Sequence, residues 1–192
     1  TDLTKIFDKD PKPVAIINHP DVKRQLLQMK SYVDGMRALM YFTALCFDKV
    51  LTAADESEKE MYQGLIELLI PVVKGYVTDR AFEVCTQGIQ VYGGYGFISE
   101  YPQEQLLRDC KITSIYEGTN GIQAMDLLGR KLGLKKGKPF MDLLTRMNQT
   151  IAAAKEISEL EDMAVRVEQA VNKLGETAMH MGMTAMSEQV LD

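Results

Sequence analysis

Apolar side chains recur at intervals of three and four residues along most of this 192-residue chain. These stripes lie at residues 22–40, 61–81, 122–132, 140–154 and 160–181. The spacing places each set on one face of an α-helix, because a helix completes a turn about every 3.6 residues. Only residues 112–116 carry the β-branched pattern of an extended segment. The sequence therefore predicts an all-α fold, an antiparallel bundle of four-helix type with additional C-terminal helices.

Residues that start and stop helices set the predicted boundaries. Pro20 suits a first helical turn, since the amide that proline lacks would have no partner there. Ser57 and Glu60 have the spacing of a capping box, which predicts that a second helix starts at Ser57. Pro71 lies inside the second stripe and predicts a kink, because it removes an amide donor. The helical pattern stops by Gly93.

The chain divides into four predicted segments. They are a lead-in at 1–17, a helical bundle at 18–132, a basic linker at 133–139 and a C-terminal helical extension at 140–192. The chain begins at Thr1 without an initiator methionine, and it ends at Asp192 on what the pattern indicates is an unfinished helix. We therefore expect it to be a piece of a longer protein, with the extension truncated.

Composition narrows the classes of partner and compartment. The net charge of −5 argues against nucleic acid, since binding phosphates needs clustered positive charge. Three widely separated cysteines argue against a disulfide framework and indicate a reducing compartment. The two histidines are too isolated for a metal site, so no metal is expected. No apolar stretch approaches the length of a membrane span, and no signal peptide opens the chain.

The segment with the most distinctive chemistry is Ile115-Tyr-Glu-Gly-Thr-Asn120. Its central residue is Glu117, which follows the aromatic ring of Tyr116. Gly118 admits a ligand close to the backbone, and Thr119 can cap the helix that follows. A carboxylate in this setting can act as a general base. From these residues alone, a solvated glutamate in an ordinary turn remains the alternative.

A glycine-rich segment, Tyr92-Gly-Gly-Tyr-Gly96, follows the second predicted helix. One interpretation is a tight turn that ends the helix, in which glycine supplies a positive φ. The other is a close approach of the backbone to a phosphate or a flavin. The segment is not a Rossmann fingerprint, because it follows a helix rather than a strand and lacks the third glycine of that motif.

These motifs occur in one order and spacing along the chain. They are Gln90-Val-Tyr-Gly-Gly-Tyr-Gly-Phe97, Glu100-Tyr-Pro102, Leu107-Arg-Asp-Cys-Lys-Ile112 and Ile115-Tyr-Glu-Gly-Thr-Asn120, followed by Ile122-Gln123. Over residues 18–132 the chain thus resembles the C-terminal α-helical domain of the FAD-dependent acyl-CoA dehydrogenases. With its further helices it is similar to the larger branch of that family, which includes enzymes acting on methylthiopropionyl-CoA.

The resemblance implies a flavin-dependent α,β-desaturation of an acyl-CoA thioester. Glu117 matches the family's catalytic base, which takes a proton from the α-carbon while a hydride leaves the β-carbon for the flavin N5. Tyr116 and Gly118 match residues that line the thioester end of the substrate. The expected substrate is therefore an acyl-CoA, and the expected cofactor is FAD.

The resemblance also assigns residues to the cofactor. Gln90, Gly93 and Gly94 match the loop that contacts the adenine half of FAD bound in a neighbouring subunit. Thr119 and Asn120 match residues beside the flavin of their own subunit. A homo-oligomer is implied, with an electron-transfer flavoprotein as the electron acceptor. The implied compartment is the cytoplasm of a bacterium or the mitochondrial matrix of a eukaryote.

Two departures and one absence limit what the resemblance implies. Gly121 stands where the family often has Glu or Gln, and the lead-in lacks the arginine-containing segment that helps to hold the FAD pyrophosphate. The family's N-terminal helical and middle β domains, which supply most of the flavin pocket, are not in this chain. We therefore expect the chain alone to be catalytically silent. Two alternatives stay open, a helical assembly module and a flavin-binding relative without dehydrogenase activity.

Overall fold

The computed structural model describes residues 7, 9 and 12–186, with side chains through residue 184. Within this part of the chain, every regular element is helical and no strand occurs. The predicted all-α class is confirmed. None of the described helices is long and apolar enough to cross a lipid bilayer. Much of the predicted lead-in at 1–17, and the last residues of the extension, lie outside the described residues.

Seven α-helices follow one another within residues 12–186. They are α1 (Pro20–Thr52), α2 (Glu56–Tyr92), α3 (Gly94–Phe97), α4 (Gln103–Lys111), α5 (Asn120–Asp126), α6 (Lys138–Lys155) and α7 (Glu161–Met186). Short 3-10 turns lie at Ile16–Asn18 and Ile112–Ser114, and a wider π-helical turn at Leu127–Lys131 extends α5. α2 passes through Pro71 as one element.

The helices are distributed over two compact units. The first unit comprises Thr1–Met40 and Gly75–Thr119. It holds the beginning of α1, the end of α2, and α3 and α4. The second unit comprises Tyr41–Lys74 and Asn120–Asp192, and it holds the remaining parts of α1 and α2 with α5, α6 and α7.

In the first unit, Arg80 of α2 links the two long helices. Its guanidinium lies 5.3 Å from the ring centroid of Tyr32 on α1 and 5.8 Å from that of Tyr76 on α2. A guanidinium at this distance is attracted to the ring faces. On the next turns of α2, the side chain of Gln103 from α4 lies against Gly88, and its amide donates to the carbonyl of Cys85 at 2.9 Å. Glycine at 88 therefore lets α4 pack closely on α2.

In the second unit, a core forms where α1 meets α2. Cys46 of α1 is fully buried and packs with three side chains of α2, Tyr62, Leu65 and Ile66. Only residues 53–55 separate the two helices, so they run antiparallel here. Each of these buried residues is at most 7% exposed. Of the second stripe, Leu65 and Leu68 are buried, whereas Tyr76 is 42% exposed.

The same unit contains an antiparallel hairpin of α6 and α7. Ile151 of α6 packs against Ala164 and Val171 of α7. Lys155 donates to the carboxylate of Glu168 at 2.7 Å across the hairpin. These contacts join the two helices that the sequence predicts for the extension.

Only part of the α7 stripe is buried. The side chains of Met163, Val167 and Leu174 remain 62%, 46% and 44% exposed. They line a shallow apolar groove of about 320 Å³ together with Met147 of α6. The helical period of the stripe was thus correct, but one neighbouring helix does not cover its whole width.

The start of α2 differs from the prediction. The helix begins at Glu56, and the carboxylate of Asp55 accepts hydrogen bonds from both the amide and the hydroxyl of Ser57. Asp55 is therefore the cap, because it accepts from an amide of the first turn. The capping box predicted for Ser57 and Glu60 is wrong, and Glu60 instead forms an ion pair with Lys135 at 2.6 Å.

The predicted extended segment at 112–116 is also wrong. Ile112–Ser114 forms a 3-10 turn that continues directly from α4. The hydroxyl of Thr113 donates to the carbonyl of Cys110 at 2.6 Å, and that of Ser114 donates to the carbonyl of Lys111 at 3.0 Å. These side-chain bonds to the preceding turn favour a tight helical path over an extended one.

The basic linker predicted at 133–139 is shorter in the structure, because α6 already begins at Lys138. Before it, three consecutive residues, Lys135, Lys136 and Gly137, have φ values of 48°, 61° and 83°. This left-handed turn reverses the chain into α6. Pro139 then lies so close to Gly64 of α2 that any side chain at 64 would meet its ring.

Candidate functional site

The turn between the 3-10 segment and α5 carries the predicted base. The amide of Tyr116 donates to the carbonyl of Ile112 at 3.1 Å, which closes the preceding turn. Glu117 then has a φ of 54° and Gly118 a φ of 84°. Both values lie in the left-handed region, which glycine adopts freely and glutamate does not. The backbone at Glu117 is therefore strained, and two left-handed residues in succession turn the chain sharply into α5.

Exposed apolar side chains precede the carboxylate in this turn. Ile115 is 49% exposed and Tyr116 is 50% exposed, and Glu117 itself is exposed. Gly118 is half-buried. The described residues thus present a carboxylate at the surface beside apolar groups that a ligand can cover.

The start of α5 is held by a lysine that the sequence analysis missed. α5 begins at Asn120, so Thr119 stands immediately before it, as the sequence indicated. The ammonium of Lys74, on α2, donates to the side-chain carbonyl of Asn120 at 2.8 Å. Its signal in the sequence is a lysine in the middle of α2, directly after Val73 and remote from either helix end.

The glycine-rich segment forms a turn between α2 and α3. The amide of Gly93 donates to the carbonyl of Gln90 at 3.2 Å, and Gly93 has a φ of 63°. Gln90, Gly93 and Gly94 are all exposed. A side chain built at Gly93 or Gly94 would meet no atom within 4 Å, so the backbone lies open to a ligand. The turn thus combines the two interpretations, a helix end and an accessible main chain.

Gly96 in the same segment has a different role. It is buried, and a Cβ there would lie 2.8 Å from both the carbonyl oxygen of Ile89 and the Cβ of Tyr92. These are contacts with the last turns of α2. Gly96 is therefore required for packing, whereas Gly93 and Gly94 leave space beside the chain.

The predicted site residues fall into three places. Gln90, Gly93 and Gly94 are brought together by the turn after α2. Tyr116, Glu117, Gly118 and Thr119 are brought together by the turn before α5, and both turns belong to the first unit. Asn120 belongs to the second unit, where Lys74 binds its side chain. In the described part of the chain, no group of three or more His, Cys, Asp or Glu side chains is arranged to hold a metal ion.

A comparison with protein families matches residues 10–132 to the acyl-CoA dehydrogenase C-terminal domain. The chain is also similar to a butyryl-CoA dehydrogenase of Syntrophomonas wolfei, with 45% identity over 148 residues, which is 76% of this chain and 24% of that protein. It is 43% identical over 153 residues to the 3-methylmercaptopropionyl-CoA dehydrogenase of Ruegeria pomeroyi, covering 76% of this chain and 26% of that enzyme.

A more distant relative is a subunit of the caffeyl-CoA reductase-Etf complex of Acetobacterium woodii, 30% identical over 107 residues, which is 56% of this chain and 25% of that subunit. The chain thus spans about a quarter of the length of these curated relatives. The family match ends at residue 132. The alignments with the first two relatives are longer than 132 residues, so they extend into the C-terminal helical region. This chain belongs to the acyl-CoA dehydrogenase family, and residues 10–132 are its C-terminal domain.

Proposed function

We propose that the protein containing this chain desaturates an acyl-CoA thioester between its α- and β-carbons, with Glu117 as the base. The carboxylate of Glu117 takes the α-proton, and the electron pair of that C–H bond forms the new double bond as a hydride leaves the β-carbon. The observation that carries the proposal is the left-handed backbone of Glu117, with a φ of 54°. It occurs at the residue that the family's motif assigns to proton abstraction.

The strain at Glu117 supports a function because an ordinary turn would not need it. A non-glycine residue in a sparsely populated region costs of the order of 1–3 kcal/mol, and such residues cluster at active sites. Glycine or asparagine would occupy this position more favourably. A glutamate at this position places an exposed carboxylate in the turn. General-base catalysis typically contributes about 10²–10⁴-fold to a rate.

The neighbours of Glu117 suit a thioester. Tyr116 offers an exposed aromatic surface against which the apolar part of a substrate can pack. Gly118 has no side chain to obstruct the carbonyl end of the substrate. We assign both residues to substrate binding. Covering them by an acyl-CoA would remove water from the carboxylate, which favours proton transfer to it.

The residues of the two turns fit FAD. The open backbone at Gly93 and Gly94 admits an extended cofactor that contacts the main chain, and Gln90 adds an exposed amide on the last turn of α2. Thr119 and Asn120 lie at the start of α5, where backbone amides favour polar and anionic groups. When bound, FAD supplies the acceptor for the hydride. We assign Thr119 and Asn120 to the FAD of their own subunit, and Gln90, Gly93 and Gly94 to the FAD of a neighbouring subunit.

The chain alone should bind FAD weakly and be inactive. It spans about a quarter of the length of its relatives, and its glycine turn is exposed rather than enclosed. A cofactor held at exposed turns keeps most of its surface in water and gains little binding energy. Titration of the 192-residue chain with FAD measures this directly. Tight binding by the chain alone would contradict this expectation.

The names of the relatives support a proposal for the substrate class and the acceptor. The names of two of them include butyryl-CoA and 3-methylmercaptopropionyl-CoA, so we propose a short acyl-CoA, with or without a thioether, as substrate. The name of a third contains an Etf complex, which supports an electron-transfer flavoprotein as acceptor. A homo-oligomer is part of the proposal, since the family's glycine turn contacts FAD bound in a neighbouring subunit.

The experiment that tests this proposal uses the full-length protein. Glu117→Gln should leave the FAD content and folding intact, because the amide has nearly the same shape. It should prevent butyryl-CoA and 3-methylmercaptopropionyl-CoA from bleaching the visible absorbance of the flavin. Glu117→Asp is the matched control, since it keeps a carboxylate and should retain partial activity. Normal bleaching in Glu117→Gln would overturn the assignment of the base.

A second candidate function is helical assembly, favoured by the exposed apolar groove of the α6–α7 hairpin. Met163, Val167 and Leu174 leave a large apolar surface on α7 that a partner can cover. This function makes no use of Glu117. Sedimentation of the chain with and without Val167→Glu tests it, since the acidic side chain should reduce association only if this groove is an interface.

A further inference from the structure

Lys74 is placed unusually for a lysine. It lies on the inner part of the 37-residue helix α2, far from both ends, and it is half-buried. Its ammonium donates to the side-chain carbonyl of Asn120 at 2.8 Å, across 46 residues of sequence. A charged group removed partly from water needs polar partners. Asn120 provides one of them.

This bond differs in kind from the ion pair of Lys135 with Glu60 in the second unit. Lys135 ends on Glu60, which is 63% exposed, so solvent weakens that pair. The bond from Lys74 is partly buried and reaches an amide rather than a carboxylate. A hydrogen bond from a charged donor is stronger than one between neutral groups, and partial burial protects it from water. It is therefore suited to fixing the position of Asn120.

Asn120 is both the first residue of α5 and the end of the turn that contains Glu117. Along the chain, Glu117 lies between two anchors. One is the bond from the Tyr116 amide to the carbonyl of Ile112, and the other is the bond from Lys74 to Asn120. A strained backbone persists only where its surroundings determine it fully. Loss of either anchor should let the turn relax and move the carboxylate.

We propose that Lys74 is a positioning residue for Glu117, acting through Asn120 on the downstream end of the turn. The inference rests on the proposed function. Lys74 takes no proton in this account and does not touch the substrate. Its ammonium holds the start of α5, and the turn holds the carboxylate where the α-proton will be. Displacement of a catalytic group by about 1 Å can cost a factor of about 10² in rate.

The test compares three variants of the full-length protein. Lys74→Met removes the charge and keeps the length of the side chain, and Lys74→Arg keeps a cationic donor. Lys155→Met is the matched control, since Lys155 is also a half-buried lysine with a charge-assisted bond, to Glu168 in the α6–α7 hairpin. The readouts are the rate of flavin reduction by butyryl-CoA, the FAD content, and hydrogen exchange of the peptide that spans residues 116–123.

Lys74→Met should reduce the rate of flavin reduction about 10- to 100-fold. It should also speed hydrogen exchange in residues 116–123, while Lys155→Met changes neither. Lys74→Arg should restore at least part of both. Should Lys74→Met lower the yield of folded protein, Asn120→Ala removes the acceptor instead and should give the same faster exchange, with no further increase in the double variant.

Unchanged flavin reduction and unchanged exchange in Lys74→Met would overturn the inference, as would equal losses in Lys74→Met and Lys155→Met. Failure of this inference is separable from failure of the proposed function. If Glu117→Gln abolishes flavin bleaching and Lys74→Met does not slow it, only the role of Lys74 is wrong. If the flavin of Glu117→Gln is bleached normally, Glu117 is not the base. Faster hydrogen exchange in Lys74→Met would then show only that Lys74 stabilises the turn.

Discussion

Glu117 and Gly118 are consecutive residues with left-handed backbones, at φ values of 54° and 84°. The glycine adopts this conformation without cost, whereas a side chain there costs roughly 1–2 kcal/mol. Gly118 therefore suits the left-handed backbone of this turn, whereas the neighbouring Glu117 does not. A function that needs a carboxylate accounts for the second residue, and this trade of stability for activity is common at active sites.

Substitutions at this pair should change stability in opposite directions. Glu117→Asn should raise the free energy of unfolding by up to about 1 kcal/mol, since asparagine tolerates the left-handed region. Gly118→Ala should lower it by about 1 kcal/mol, because alanine does not. Urea denaturation of the chain measures both. A loss of stability in Glu117→Asn would show that the glutamate side chain stabilises the turn.

Two neighbouring glycines should separate packing from ligand access. Gly96→Ala should destabilise the chain by about 1–3 kcal/mol, because its Cβ would lie 2.8 Å from the backbone oxygen of Ile89, which cannot move aside. Gly94→Ala should stay within about 0.5 kcal/mol, since its Cβ meets no atom within 4 Å. Thermal unfolding of both variants checks this difference. Equal destabilisation would contradict the packing described for this turn.

Leu65 should contribute far more to stability than an exposed leucine on the neighbouring helix. Leu65 is 1% exposed, and Leu51 of α1 is 83% exposed. Leu65→Ala should lower the free energy of unfolding by about 2–5 kcal/mol, through lost burial and a cavity. Leu51→Ala should change it by less than about 0.5 kcal/mol. Similar losses in the two variants, measured by urea denaturation, would place the core elsewhere.

The thiol of Cys85 should resist deprotonation. Burial raises its pKa from 9.0 to about 11, and the neighbouring Cys110 adds to the shift through its charge and a hydrogen bond. The folded chain therefore holds this proton through a pH range in which the unfolded chain has lost it. The free energy of unfolding should fall as the pH rises from about 9 to about 11, since the folded state then binds more protons.

Two measurements check the prediction for Cys85. Alkylation of its thiol in the folded chain should be slow at pH 8.5 compared with the unfolded chain, because the thiolate is the reactive form. In Cys85→Ala, stability should depend less on pH over the same alkaline range. Alkylation of folded Cys85 at the rate of the unfolded chain would contradict the raised pKa.

Much of the fold could be predicted from the helical spacing of apolar residues in the sequence. The stripe through Leu65 and Leu68 reports the buried face of α2, because burial in a helix repeats every three or four residues. The order of motifs also located the turn around Glu117. A period does not report how wide the covered face is, and Val167 remains 46% exposed although α6 packs against α7.

Other features depend on competition between local hydrogen bonds, which spacing does not reveal. Asp55 and Ser57 are both favourable capping residues. Only the structure shows that the carboxylate of Asp55 caps the first turn of α2. The β-branched residues at 112–116 indicated an extended chain, yet the hydroxyl of Thr113 favours a 3-10 turn by bonding to Cys110. The bond from Lys74 to Asn120 joins positions 46 residues apart, beyond any local pattern.

The most direct test of the account measures proton abstraction apart from hydride transfer. An acyl-CoA with sulfur in place of its β-carbon can lose an α-proton but has no β-hydride to give. The full-length protein in heavy water should exchange the α-protons of this analogue, as followed by NMR. Glu117→Gln should slow the exchange by about 10²–10⁴-fold with its FAD content unchanged. Exchange at the wild-type rate in Glu117→Gln would contradict the assignment of Glu117 as the base.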